Sequence, residues 1–197
     1  MNTTPTLIPS ADPSALSRLS LALEDMLEQH GAAHRPVVFA CIGTDRSTGD
    51  ALGPLVGQKL ERLGMSANKV IGTLEDPLHA MNMADRLAPI LSAPTKPLIV
   101  AVDAALGPVA SVGCIAVREG GLRPGQGVGK DLPEIGEVSI TGTVNVRALG
   151  LDAQVLQSTR LFLVQQMADQ IGVSCWWGLR NVRREAATPA LRVVHAA

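Results

Sequence analysis

Two unbroken apolar runs, Val37-Val38-Phe39-Ala40-Cys41-Ile42 and Leu98-Ile99-Val100-Ala101-Val102, constrain this chain more than any other feature. A strand with one wet face alternates apolar and polar residues. A strand apolar at every position needs cover on both faces, and parallel sheets sandwiched between helices provide it. Each run stops abruptly, the first at Gly43 and the second at Asp103. Aromatic residues are only 2% of a chain that is 46% hydrophobic, so Ala, Val, Leu, Ile and Met must build the core.

Helical stripes surround these runs. Asp12-Pro13 has the form of an N-cap followed by proline at the first helical position, and Leu16, Leu19, Leu23, Met26 and Leu27 repeat at helical spacing until Gly31. Leu52, Leu55, Val56, Leu60 and Leu63 form a second stripe over 51–63, closed by Gly64. Residues 69–74 read as a strand, and Asp76-Pro77 as the start of a helix to about Leu91. Further strands are expected at 112–118 and 137–145, then a long helical region from Leu151 with a break at Gly172.

This alternation predicts a three-layer α/β fold: a doubly wound, mostly parallel sheet of about five strands with helices on both faces, phosphorylase/hydrolase-like. A flexible N-terminus is expected over 1–11, one α/β domain over 12–182 with its first helix at 12–31, and a fraying tail over 183–197.

Seventeen basic and eighteen acidic residues leave a net charge of −1, so no global field recruits nucleic acid or an anionic membrane. No basic leader precedes an apolar run, and no stretch approaches the roughly 18 apolar residues of a membrane span. A cytoplasmic protein is expected. Cys41, Cys114 and Cys175 lie far apart with no neighbouring His, which points to buried reduced thiols rather than a zinc site or disulfides.

In the common strand order 2-1-3, the two apolar runs are neighbours, and ligands bind where the order reverses, at the carboxyl ends of the strands. Asp50 and Asp103 both follow those ends. Strands lie about 4.8 Å apart, so two carboxylates leaving one rim can share a proton or a cation. Such a pair can activate water against a peptide carbonyl, and it would equally suit a divalent metal, with Glu75 as a third acid beside Asp50 and Asp103. For Asp50 alone the plainer reading is a helix N-cap. Asp45 and Arg46 are candidates for substrate contact or for orienting Asp50, and Thr141 places a hydroxyl near the same rim.

The segment 120–131 lacks the glycine and the Ser or Thr that a phosphate loop requires, since Pro124 and Asp131 stand there. Its Gly125, Gly127, Gly129 and Lys130 suit close approach to a bound chain instead. None of His30, His34, His79 and His195 neighbours a Ser or Cys in a nucleophile setting, which disfavours a Ser or Cys hydrolase.

The run Cys41-Ile42-Gly43-Thr44-Asp45-Arg46-Ser47-Thr48-Gly49-Asp50-Ala51-Leu52-Gly53-Pro54 resembles the YyaC-type sporulation proteins, relatives of the germination (spore) protease. Val102-Asp103-Ala104, Arg-Pro-Gly-x-Gly-Val-Gly-Lys at 123–130 and Val138-Ser139-Ile140-Thr141-Gly142 match in the same order, and the resemblance covers roughly 36–180. It implies a sporulation-associated endopeptidase of the forespore or spore core that hydrolyses small acid-soluble spore proteins or another spore protein. The protease's site aspartates fall on Asp50 and Asp103; Thr44 and Gly49 depart from its Asn and Pro.

A more distant likeness is to hydrogenase maturation endopeptidases, whose nickel-reading acids align with Asp50, Glu75 and Asp103, while Thr141 stands where a His is wanted. No cofactor is required by these readings, and a divalent metal is compatible with them. A protein is the expected partner, with neither direct nucleic-acid nor membrane binding, and a homo-oligomer is compatible. The alternative is a non-catalytic sporulation protein that holds a protein partner in the same crevice; a nucleotide-binding module is a weaker third reading.

Overall fold

The computed structural model describes residues 6–123 and 134–188. Six strands form one sheet: β1 (Thr6–Pro9), β2 (Val37–Cys41), β3 (Val70–Ile71), β4 (Leu98–Gly107), β5 (Cys114–Glu119) and β6 (Val138–Val146). The order is β1-β5-β6-β4-β2-β3, with β6, β4, β2 and β3 parallel and β5 antiparallel to both β6 and β1. The helices are α1 (Ala15–Gln29), α2 (Leu52–Arg62), α3 (Met83–Leu91), α4 (Asp152–Gln157) and α5 (Leu161–Ala187). The expected 2-1-3 arrangement is present as β3-β2-β4.

Alternation along the buried strands divides the core in two. Val37, Phe39 and Cys41 of β2 join Leu98, Val100 and Val102 of β4 beneath α1, α2 and α5. Val38, Ala40 and Ile42 join Ile99 and Ala101 on the opposite face, beneath Met83 and Leu87 of α3. Helices on both faces explain why neither run contains a polar residue. In α1, Leu19, Leu23 and Leu27 are fully buried, and each such side chain contributes roughly 2 kcal/mol through the apolar surface it removes from water.

Several boundaries differ from the sequence reading. Within the N-terminal segment expected to be flexible, Thr6–Pro9 is an edge strand against β5, with Ile8 fully buried. Four residues with one inward apolar side chain carry too little pattern to announce a strand, and Pro9 is tolerated because the strand lies at the edge. The helix expected from Pro77 begins only at Met83. Asp76 does not cap it: its carboxylate accepts a 2.6 Å bond from Arg86 Nη1, while the Asn82 side chain ties the turn to Pro77 O and the His79 amide at 2.9 Å each.

The expected break at Gly172 is absent. The chain breaks at residues 158–160, where Thr159 Oγ1 donates to Val155 O at 2.8 Å and accepts from Asn145 Nδ2 at 3.2 Å. Gly172 lets α5 approach α2, because a Cβ there would lie 2.6 Å from Lys59 Cγ. The tail expected to fray from 183 stays helical through Ala187, with Arg183 donating to Ala32 O and Arg35 O at 3.4 Å each. No helix among the described residues is long and apolar enough to cross a membrane.

Candidate functional site

Strand order reverses between β2 and β4: one leads outward to β3, the other toward β5 and β6. Their pairing ends at Cys41↔Val102, followed by a 2.7 Å bond from the Ile42 amide to Val102 O. The chain then folds back sharply. Gly43 has φ +147°, and a Cβ on it would lie 1.9 Å from Asp50 O; a Cβ on Gly53 would lie 2.0 Å from Ile42 O. These two glycines let the loop after β2 press against the strand end and hold Asp50 at the rim.

Asp103 lies within β4, one residue beyond Val102, where the pairing with β2 ends. By alternation its side chain shares the face of Ile99 and Ala101, and its register partner on β6 is Thr141. One carboxylate oxygen, Oδ1, accepts the Ala104 amide at 2.8 Å. Burial pushes the Asp103 carboxyl up to about 8, the Ala104 bond opposes this, and the charge of Asp50 adds to the rise. Asp50 is itself raised by burial, with Ser47 pulling the other way. The Ser47 hydroxyl is buried yet makes no hydrogen bond of good geometry, so its attraction for Asp50 is that of a neighbouring dipole.

The rim therefore gathers Asp50 and Asp103, with Thr141 beside the latter. The N-cap reading of Asp50 does not hold: Ala51 occupies that position and no side chain caps α2. Glu75 stands apart on an exposed turn after β3, and Asp45 and Arg46 are exposed on the loop, with the Arg46 amide bonded to Thr44 Oγ1 at 3.3 Å. Among the described residues no three His, Cys, Asp or Glu side chains converge, so the trio Asp50, Glu75 and Asp103 does not assemble into a metal cage. Gly125, Gly127, Gly129 and Lys130 lie outside the described residues. Ser47 escaped the sequence reading because nothing distinguishes it there from Thr44 or Thr48; only its burial does.

The motifs at this rim sit inside a matched family region that spans residues 7–174. The chain belongs to the DUF1256 family, described as a protein of unknown function. It is 48% identical over 158 residues to an uncharacterized protein, YyaC, of Bacillus subtilis (strain 168), which covers 80% of this chain and 76% of that relative. Among solved structures it is similar to the [NiFe] hydrogenase maturation protease HycI from Thermococcus kodakarensis KOD1, with a TM-score of 0.54 and 20% identity over 81% of this chain and 99% of that one. That likeness supports the three-layer α/β fold.

Proposed function

We propose that this protein is an endopeptidase in which Asp50 and Asp103 act as an unequal carboxyl pair. The reading is carried by one juxtaposition: Asp103 stands on β4 where the pairing with β2 ends, close enough to Asp50, on the loop after β2, to feel its charge, at the point where the strand order reverses. Asp103, raised to about 8, holds its proton at neutral pH, while the less perturbed Asp50 is the base.

Asp50 takes a proton from water as the water oxygen attacks the peptide carbonyl carbon, and Asp103 gives its proton to the carbonyl oxygen. A gem-diol results. In its collapse Asp50 passes its proton to the leaving nitrogen, the C–N bond breaks, and a diol hydroxyl returns a proton to Asp103, restoring both groups. Thr141, register partner of Asp103, lies beside the donor. The resemblance to YyaC-type sporulation proteins and the germination protease supports small acid-soluble spore proteins as substrates, with the forespore or spore core as the compartment.

The test is digestion of a purified small acid-soluble spore protein by the wild type, Asp50→Asn and Asp103→Asn, with and without EDTA, read by mass spectrometry. Defined fragments from the wild type alone are expected. Cleavage that survives EDTA assigns water activation to the carboxyls; cleavage lost with EDTA and restored by a divalent metal would transfer that role to a cation between them. Fragments from both variants would sink the mechanism, and binding without fragments under every condition would favour the non-catalytic reading.

A further inference from the structure

We propose that the substrate docks as an added strand in the lane that β2 vacates beside β4, bonding through its backbone to Ala104 and Leu106 so that the chain passes the Asp50 and Asp103 rim. That the guest is a substrate rests on the peptidase reading; the lane itself rests on the register of the sheet.

β4 runs for 10 residues and β2 for 5. Pairing with β2 covers Leu98 to Val102, whereas pairing with β6 continues to Gly107↔Val146. Beyond Val102, β4 thus has a strand on one side only among the described residues. The first five residues of β4 are buried and the last five partly exposed.

Successive residues of a strand direct their N–H and C=O groups to opposite sides. The Leu98 amide bonds Pro36 O, and Val102 O accepts from Ile42, so even-numbered residues turn toward β2. Ile99 O accepts from Glu137 and Gly107 O from Arg147, so odd-numbered residues turn toward β6. Ala104 and Leu106 therefore turn their backbone groups to the side where no strand pairs with β4. The Ala104 amide is held by Asp103 Oδ1 at 2.8 Å, and Arg147 Nη2 reaches Leu106 O only at 3.5 Å. By the same alternation the Ala104 carbonyl and the Leu106 amide point away from β6.

This acceptor and donor, flanking Ala105, have the spacing that a single residue of a parallel strand satisfies with its own N–H and C=O. An extended chain fits; a helix, whose backbone groups are already paired, does not. Sheet edges are usually blunted, because an open one invites pairing. This edge instead stays open for five residues next to the carboxyl pair. Val109, just after β4, and Leu149, just after β6, are exposed by 78% and 94% and can meet apolar side chains of the guest.

The experiment uses synthetic peptides tiling a small acid-soluble spore protein, bound to the full chain carrying Asp50→Asn to prevent turnover. Amide exchange by NMR is expected to slow at Leu106 by about tenfold on binding, and N-methylation of the peptide to weaken affinity about tenfold at alternate positions only, one hydrogen bond apiece. Leu106→Pro removes the free amide without touching the β6 ladder and should weaken binding similarly; if that variant fails to fold, the exchange measurement decides.

Binding that leaves Leu106 exchange unchanged, losses without a period of two, or no binding by any peptide would each overturn the lane. Digestion of the same peptides by the wild type is read separately. Cleavage with Leu106 unprotected would sink the lane and keep the peptidase, while protection without cleavage would do the reverse.

Discussion

Replacing Asp103 with Asn should make the protein more stable, and increasingly so as pH rises. A carboxyl whose folded pKa lies above its unfolded value binds a proton in the folded state that the unfolded chain has released. Stability therefore falls with pH across the window between the two values, by about 1.4 kcal/mol per unit. For Asp103 the window runs from 3.8 to about 8. Four units would amount to ~6 kcal/mol, but the partly exposed carboxyl retains some water, and about half of that is the realistic figure.

Asn keeps an oxygen for the Ala104 amide and carries no charge, so Asp103→Asn removes the penalty while preserving the hydrogen bond. Thermal unfolding of wild type and variant, followed by circular dichroism from pH 4 to pH 9, gives the difference directly. The melting temperatures should coincide near pH 4 and separate by ~6–12 °C above pH 8, at ~2–4 °C per kcal/mol for a chain of this size. A separation independent of pH, or a variant less stable than the wild type at pH 8, would refute the claim that a desolvated acid sits at this rim.

For hydrolysis the same assignments predict a bell-shaped pH profile, with activity falling above about 8 as Asp103 loses its proton and falling in acid as Asp50 gains one; a rate that keeps rising past pH 9 would exclude Asp103 as the proton donor. Gly43→Ala should cost about 2–4 kcal/mol in urea unfolding and impair cleavage with it, because its methyl group would meet Asp50 O. Arg35→Ala should cost about 1–2 kcal/mol, chiefly through lost bonds to Lys96 O at 2.6 Å and Pro97 O at 3.3 Å, since Glu137 is nearly half exposed and screened. Arg35 holds the Glu137 carboxyl below its ordinary 4.5, so that pair's share of the difference is present at neutral pH and vanishes as pH falls below the folded value. All three cysteines are buried, and burial raises the Cys41 and Cys175 thiols; a thiol reagent should react with them only in denaturant, which absorbance reports.

The parallel centre of the sheet was legible because its apolar runs demand cover on both faces and each stops abruptly, at Gly43 and at Asp103. The nearness of Asp103 to the loop that carries Asp50 was legible for a related reason: once β2 and β4 are neighbours, the end of β2 lies beside the middle of β4. What the pattern does not carry is pairing whose partner lies far away. β1 is defined by β5, more than a hundred residues later, and the late start of α3 depends on the Arg86 and Asn82 side chains engaging the preceding turn. The continuity of α5 through Gly172 is likewise a property of α2, whose Lys59 fills the space the glycine leaves. The open side of β4 was hidden because an apolar run marks where a strand begins and not which neighbour stops first.

A structural role for the acid pair is weakened by comparison with the other carboxylates of the same molecule. Where Asp or Glu is drawn below its ordinary range, a cation or a cap accounts for it: Arg86 for Asp76, Arg35 for Glu137, the Ser14 amide and hydroxyl with Arg18 for Asp12, and for Asp169 the Lys59 and Gln165 bonds that overcome burial. Asp50 and Asp103 are the two shifted upward among the described residues, and neither rise is opposed by a cation. A fold that only needed those positions filled would gain stability from Asn at either, as polar groups without charge avoid the desolvation cost. Two carboxyls that feel one another without a counter-ion make physical sense where a proton must be held by one and accepted by the other.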